Sequence, residues 1–150
     1  MSDYRFSAHL CVSKSERDAT EDGVMAVLKG LSRNILKNLG DVELGKSLRI
    51  FIRDEEDKVV GGIIANLFGG WAYIALLWVD ESLRGKGYGT KLLNRLETEA
   101  ARLGCTHAHL DTYSFEARPF YEKAGYEVFG TLENYPPGHC KYFLRKKLAA

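Results

Sequence analysis

The hydrophobic spacing along this chain changes period several times, and each change marks a predicted element. Tyr4 to Val12 places Phe6, Ala8 and Leu10 on alternate positions, the spacing of a strand. After Ser13 the period lengthens. Val24, Val27, Leu28, Leu31, Ile35 and Leu39 recur every three or four residues, which predicts helix from a cap at Ser13 or Ser15, with Asp18 in the first turns, to a stop at Gly40. Gly23 and Gly30 predict a break into two shorter helices. Ser47 to Arg53 and Lys58 to Phe68 then return to β-rich composition around Asp54-Glu55-Glu56-Asp57, a solvated hairpin tip. Gly69-Gly70 turns the chain into a third run, Trp71 to Val79.

Helical spacing reappears near Tyr88, where Leu92, Leu93, Leu96, Ala100 and Leu103 form one stripe that ends at Gly104. Thr106 to Thr112 reads as a strand, Glu116 to Lys123 as a short helix with Pro119 in its first turn, and Gly125 as its stop. Tyr126 to Leu132 and His139 to Leu144 complete the series on either side of a loop stiffened by Pro136 and Pro137. The Thr106 strand is entered through a helix, so it is predicted to lie parallel to the strand ending at Val79 in a right-handed crossover. The fold class is therefore α+β: a mixed, mostly antiparallel sheet of six to seven strands, one parallel pair, and helices on both faces.

No repeat or Pro/Ser-rich linker divides the 150 residues, and one domain spanning 1–150 is expected. With 21 basic and 20 acidic residues the net charge is +1, so nothing global points to nucleic acid or an anionic membrane surface as partner. The apolar runs are too short to span a bilayer and the start lacks a signal-peptide core, which makes the cytoplasm the expected location. Cys11, Cys105 and Cys140 are odd in number and far apart, and read as reduced, mostly buried thiols. His107, His109 and Asp111 share one strand face but have no further ligand nearby in sequence; they read as a polar face, and no metal is expected.

The chemistry concentrates in Arg84-Gly85-Lys86-Gly87-Tyr88-Gly89-Thr90, between a strand and a helix start. Glycines at alternate positions admit backbone conformations closed to other residues and let main-chain N–H groups approach a ligand. The helix behind points its unpaired N–H groups at the same place, and Arg84 and Lys86 add positive charge, so a bound pyrophosphate fits. A glycine-rich surface turn is the alternative. A nucleotide P-loop is excluded because no Gly-Lys-Ser/Thr ending is present, and a dinucleotide fold because repeated βαβ units are missing.

With its surroundings, this loop resembles the signature of the GNAT superfamily of acetyl-CoA-dependent N-acetyltransferases. Val79-Asp80-Glu81-Ser82-Leu83-Arg84-Gly85-Lys86-Gly87-Tyr88-Gly89 follows the family's Q/R-x-x-G-x-G/A pattern, and Phe120-Tyr121-Glu122-Lys123-Ala124-Gly125-Tyr126 follows its second, aromatic-Tyr pattern. The likeness covers about Ala72 to Leu148; the N-terminal half agrees in element order alone. The resemblance implies a sheet whose two parallel strands splay apart, with acetyl-CoA as cosubstrate in the gap. Leu77, Trp78 and Val79 would bond its pantetheine arm; Gly85, Lys86, Gly87, Tyr88, Gly89 and Thr90 would hold the pyrophosphate, with Arg84 the preferred charged side chain. It further implies direct attack of a primary amine through a tetrahedral intermediate, Tyr121 as general acid, and a backbone N–H of Leu77 to Val79 as oxyanion donor. Asp111, Glu116 and His139 are alternative bases or substrate contacts. Ser114 stands in the region where many members carry Asn, and its hydroxyl is the substitute contact. A small-molecule amine is the expected acceptor and a homodimer the expected assembly; acetylation of a protein lysine or N-terminus, or noncatalytic acyl-CoA binding, are the alternatives.

Overall fold

A computed structural model describes residues 8–10, 13–40 and 45–148, and they fall into two compact units, Met1–Val42 and Glu43–Ala150. The first holds helices α1 (Lys14–Asp18) and α2 (Glu21–Leu39). The strand expected over Tyr4 to Val12 lies largely outside the described residues. Ser13 caps α1 as its sequence suggests: its hydroxyl accepts the Glu16 N–H at 3.2 Å, while the Ser13 N–H donates to the Glu16 carboxylate at 2.7 Å. The helical break is not at Gly23 or Gly30. It falls at Ala19 and Thr20, and α2 runs through both glycines, each of which costs only about 1 kcal/mol in a helix interior. Gly40, at φ 71°, ends α2 as expected, with its N–H on the Leu36 carbonyl.

The second unit contains strands β1 (Lys46–Arg53), β2 (Val59–Phe68), β3 (Trp71–Val79), β4 (His107–Tyr113), β5 (Glu127–Glu133) and β6 (Cys140–Lys147), with helices α3 (Tyr88–Arg102) and α4 (Arg118–Lys123). They form one six-stranded sheet in the order β1-β2-β3-β4-β6-β5, in which only β3 and β4 are parallel. The acidic hairpin tip is a side-chain-closed turn: the Asp54 carboxylate accepts the N–H groups of Glu56 and Lys58 at 3.0 and 2.9 Å. The core comprises Ile63, Ala65 and Leu67 of β2, Ala72 and Ile74 of β3, Ala108 and Leu110 of β4 and Leu144 of β6, under Leu92, Leu93, Leu96 and Ala100 of α3. Each of the larger aliphatic side chains contributes about 1.5–3 kcal/mol by leaving water.

Two irregularities of β3 shape what lies beside it. Its pairing with β4 has three rungs, Trp71–His107, Ala72–Ala108 and Tyr73–His109, after which β4 continues with β6 and β3 with β2. Immediately beyond the last rung, Ile74 pairs with Ala65 and Leu76 with Ile64, leaving Ala75 as an extra residue. Such a bulge bends a strand and raises its twist. It also inverts the strand's faces: Ala72 and Ile74 point into the core before it, Leu77 and Val79 pack against the core after it, and Leu76 is 62% exposed. The bend and the loss of pairing together separate β3 from β4.

Candidate active site

Beside the freed end of β3 lies a cavity of about 600 Å³. One wall is the end of β3 (Leu77, Trp78, Val79) and the turn that follows it (Leu83, Arg84, Gly85, Gly87); Tyr88, Gly89 and Thr90 of α3 close one end, and Ala117, Phe120 and Tyr121 form the opposite wall. The backbone of β3 is directional here. The Asp80 N–H donates to the Val60 carbonyl of β2 at 2.8 Å, so by strand alternation Trp78 also faces β2 while Leu77 and Val79 turn their N–H groups toward the gap. Of the three residues expected to offer backbone groups, Leu77 and Val79 have their N–H groups on the side away from β2, and all three line the cavity.

The turn is shaped by side chains before the glycines take over. Asp80 caps a single 3-10 turn, Glu81–Leu83, by accepting the Ser82 N–H at 3.0 Å. Arg84 then folds back so that its Nε donates to the Val79 carbonyl at 3.3 Å, pinning the loop to the strand it leaves. Gly85 and Gly87 sit at φ 73° and 80°, in the region that favours glycine, with open space where a Cβ would stand. Gly87 is the N-terminal cap of α3 and offers no side chain, which leaves the first N–H groups of the helix without a capping acceptor. Gly89 faces the Phe120 ring of α4: a Cβ there would stand 3.4 Å from it, at the edge of ordinary contact. Lys86 does not line the cavity.

Tyr121 is the polar group of the opposite wall. It is buried, its ring meets Phe120 and Tyr126 edge-on at 5.1 and 5.8 Å, and its hydroxyl makes no hydrogen bond among the described residues. Burial, reinforced by the nearby Glu116 charge, pushes the phenol up to about 12. The neighbouring Tyr126 phenol is raised too, by burial and then by Glu97, whose carboxylate accepts its hydroxyl at 2.9 Å.

The remaining expected site residues do not line this cavity. Asp111 has both oxygens engaged: the Tyr73 hydroxyl donates to one at 2.9 Å and Lys141 lies 3.2 Å from the other. Lys141 in turn sits over the rings of Tyr113, Tyr135 and Phe143 at 5.1 to 5.7 Å. Glu116 accepts from the Thr112 hydroxyl at 3.1 Å and from the Tyr113 N–H at 3.4 Å. Ser114 clasps β6, accepting the Cys140 N–H at 3.1 Å and donating its own N–H to the Cys140 carbonyl at 2.8 Å. His139 places Nδ1 3.4 Å from the Ser114 hydroxyl and meets the Phe115 ring edge-on. Cys105 is buried and Cys140 half-buried, both as free thiols; Cys11 lies outside the described residues. His107 stacks on Trp71 and His109 packs against Tyr73; no group of three or more His, Cys, Asp or Glu side chains among the described residues is arranged around a common metal position.

A family model for the Acetyltransferase (GNAT) family matches residues 17–126. The chain belongs to the GNAT family. This GNAT protein is an acyltransferase, and its relatives carry that activity in their names. It is 36% identical over 102 residues to an acetyltransferase of Agrobacterium fabrum, covering 68% of this chain and 74% of that one. It is 35% identical over 95 residues to the blasticidin-S acetyltransferase of Streptomyces morookaense, covering 63% and 70%. The crystal structure of an acetyltransferase from Bacillus cereus superposes with a TM-score of 0.73 at 30% identity, over 95% of this GNAT chain and 98% of the other.

Leu83, Ala117 and Phe120 line the cavity without having been singled out from the sequence. Phe120 stood inside the second motif, beside Tyr121. No described helix is long and apolar enough to cross a membrane.

Proposed function

We propose that this protein transfers the acetyl group of acetyl-CoA to a primary amine on a small molecule. One observation carries the reading: the same cavity is bordered by unpaired strand edge, an uncapped helix start behind two left-handed glycines, and a buried tyrosine whose hydroxyl makes no hydrogen bond among the described residues. The three features match, in order, an amide-bearing arm, a pyrophosphate and a departing sulfur.

The bound cosubstrate supplies a thioester carbonyl carbon for the amine to attack. The Leu77 and Val79 N–H groups hydrogen-bond its arm as an added strand would, and one of them faces the carbonyl oxygen as negative charge develops there. The N–H groups from Gly85 to Thr90 hold the pyrophosphate, helped by the positive end of α3. Arg84 serves first as a loop latch; its terminal nitrogens add charge beside the phosphates, as Lys86 does from outside the cavity.

Tyr121 holds its proton tightly across the physiological range. With its phenol at about 12 against a thiol reference of about 8.5, it stabilises the leaving thiolate chiefly by donating a hydrogen bond. The proton lost by the amine balances the thiol that leaves. Asp111 and Glu116 are committed to the contacts described above, so His139, whose Nε2 makes no hydrogen bond among the described residues, is the candidate to accept that proton directly or through water. The named acceptor of the Streptomyces relative favours a small amine over a protein.

Release of the free CoA thiol, followed with acetyl-CoA and separate panels of small primary amines, lysine peptides and peptide N-termini, tests the proposal. Turnover on small amines is expected. Turnover confined to peptides would transfer the reading to protein acetylation, and tight CoA binding with no turnover on any acceptor would overturn it.

A further inference from the structure

We infer that Thr112 and Glu116 are positioning residues for Tyr121, fastening the start of α4 to the end of β4; the inference rests on the reading of Tyr121 as the group at the thioester sulfur. Thr112 is buried, at 3% exposure. A hydroxyl in that position costs free energy unless it is bonded, and here it is used twice. Its Oγ1 donates to Glu116 Oε2 at 3.1 Å and accepts the Ala117 N–H at 3.4 Å. Glu116 Oε2 also accepts the Tyr113 N–H at 3.4 Å, which closes the turn from strand to helix on itself.

The bonds continue to the phenol. Ala117 is the N-terminal cap residue of α4 and has no capping side chain of its own; its N–H is held by Thr112 and its carbonyl accepts the Tyr121 N–H at 3.2 Å. At the other end the Tyr121 carbonyl accepts the Tyr126 N–H at 3.0 Å. A six-residue helix has little stability of its own, so its orientation depends on what grips its ends. The grip at the start is the Thr112 hydroxyl and the Glu116 carboxylate, and the side chain it aims is Tyr121. This assigns Glu116 a supporting place in the wall instead of a proton-accepting one.

The test is steady-state kinetics of T112V, T112S, E116A and E116Q, each made in the wild type and in Y121F, with thermal melts to confirm folding. T112V and E116A are expected to lower kcat about tenfold, the equivalent of one lost hydrogen bond at the site, while KM for acetyl-CoA stays within about twofold. T112S restores the hydroxyl and the rate. E116Q, which keeps an oxygen for Thr112, loses less than E116A. In Y121F, T112V costs less than about twofold, because the group it positions is gone. Glu116 is exposed, so E116A carries the test even where T112V fails to fold. An equal cost of T112V or E116A in both backgrounds would overturn the inference, as would a loss confined to KM. E116Q as inactive as E116A would also overturn it, by marking the carboxylate as a base. If Y121F keeps the wild-type kcat, the reading of Tyr121 fails first and the inference falls with it.

Discussion

The two walls of the cavity are made of different material. On the β3 side the groups facing the gap are main-chain: the N–H groups of Leu77 and Val79, two glycines at positive φ, and the uncapped start of α3. On the α4 side they are side chains, Phe120 and Tyr121, with a hydroxyl–carboxylate pair a few residues upstream. A main-chain wall suits what every cosubstrate molecule has in common, amides and phosphates. A side-chain wall can be altered one residue at a time, so chemistry and its tuning belong there. The division predicts that substitutions on the α4 side change turnover and substitutions on the β3 side change cosubstrate affinity.

The sharpest way to break that division is Tyr121→Phe. It should lower kcat by about 100- to 1,000-fold, the range for removing one hydrogen-bond donor aimed at developing negative charge, with KM for acetyl-CoA nearly unchanged; a rise in KM alone would place Tyr121 on the binding side. Leu93→Ala probes the support both walls share. Leu93 is 1% exposed beneath the sheet, and its truncation should cost about 3 kcal/mol in urea unfolding while leaving kcat per folded molecule intact. A loss of activity without a loss of stability would mean that α3 contributes more than support. Gly87→Val tests the main-chain wall directly: a branched residue at φ 80° is strained, and CoA affinity measured by calorimetry should fall about tenfold with a smaller effect on kcat.

The smallest expected effect separates the walls by pH. The Tyr121 phenol stands at about 12 in the folded protein, above its ordinary value of about 10. The folded state therefore holds this proton more tightly than the unfolded chain does; the associated stability is complete below pH 10 and is lost as pH rises toward 12. Denaturation midpoints of wild type and Y121F, compared at pH 8 and pH 11.5, should show the wild type losing its relative advantage at the higher pH. Equal shifts in both proteins would place the relevant proton elsewhere, Tyr126 being raised in the same direction.

The same contrast explains what could be read from the sequence. The glycine loop, the strand before it and the helix behind it are local features, and Gly85, Gly87 and the α3 stripe were legible because backbone conformation and amphipathic spacing are written in consecutive residues. The parallel pairing of β3 with β4 followed from the intervening helix. The bulge at Ala75 was not legible. Trp71 to Val79 is almost continuously apolar, so nothing in its composition reveals where the buried face switches; that is fixed by register against β2. Asp111 looked available for proton transfer because its partners, Tyr73 and Lys141, are 38 and 30 residues away and meet it only across the sheet. Ser114 looked free for the same reason, before β6 supplied Cys140. In the first unit, Gly23 and Gly30 suggested a break that a long helix tolerates, while the true interruption at Ala19 and Thr20 carries no glycine or proline.

The most direct test of the account is a crystal structure of the complex with CoA. In that complex the pyrophosphate is expected on the N–H groups of Gly85 to Thr90, the pantetheine arm along Leu77 to Val79, and the sulfur within hydrogen-bond reach of the Tyr121 hydroxyl. A sulfur well away from Tyr121, or a pyrophosphate bound away from the glycine loop, would contradict it.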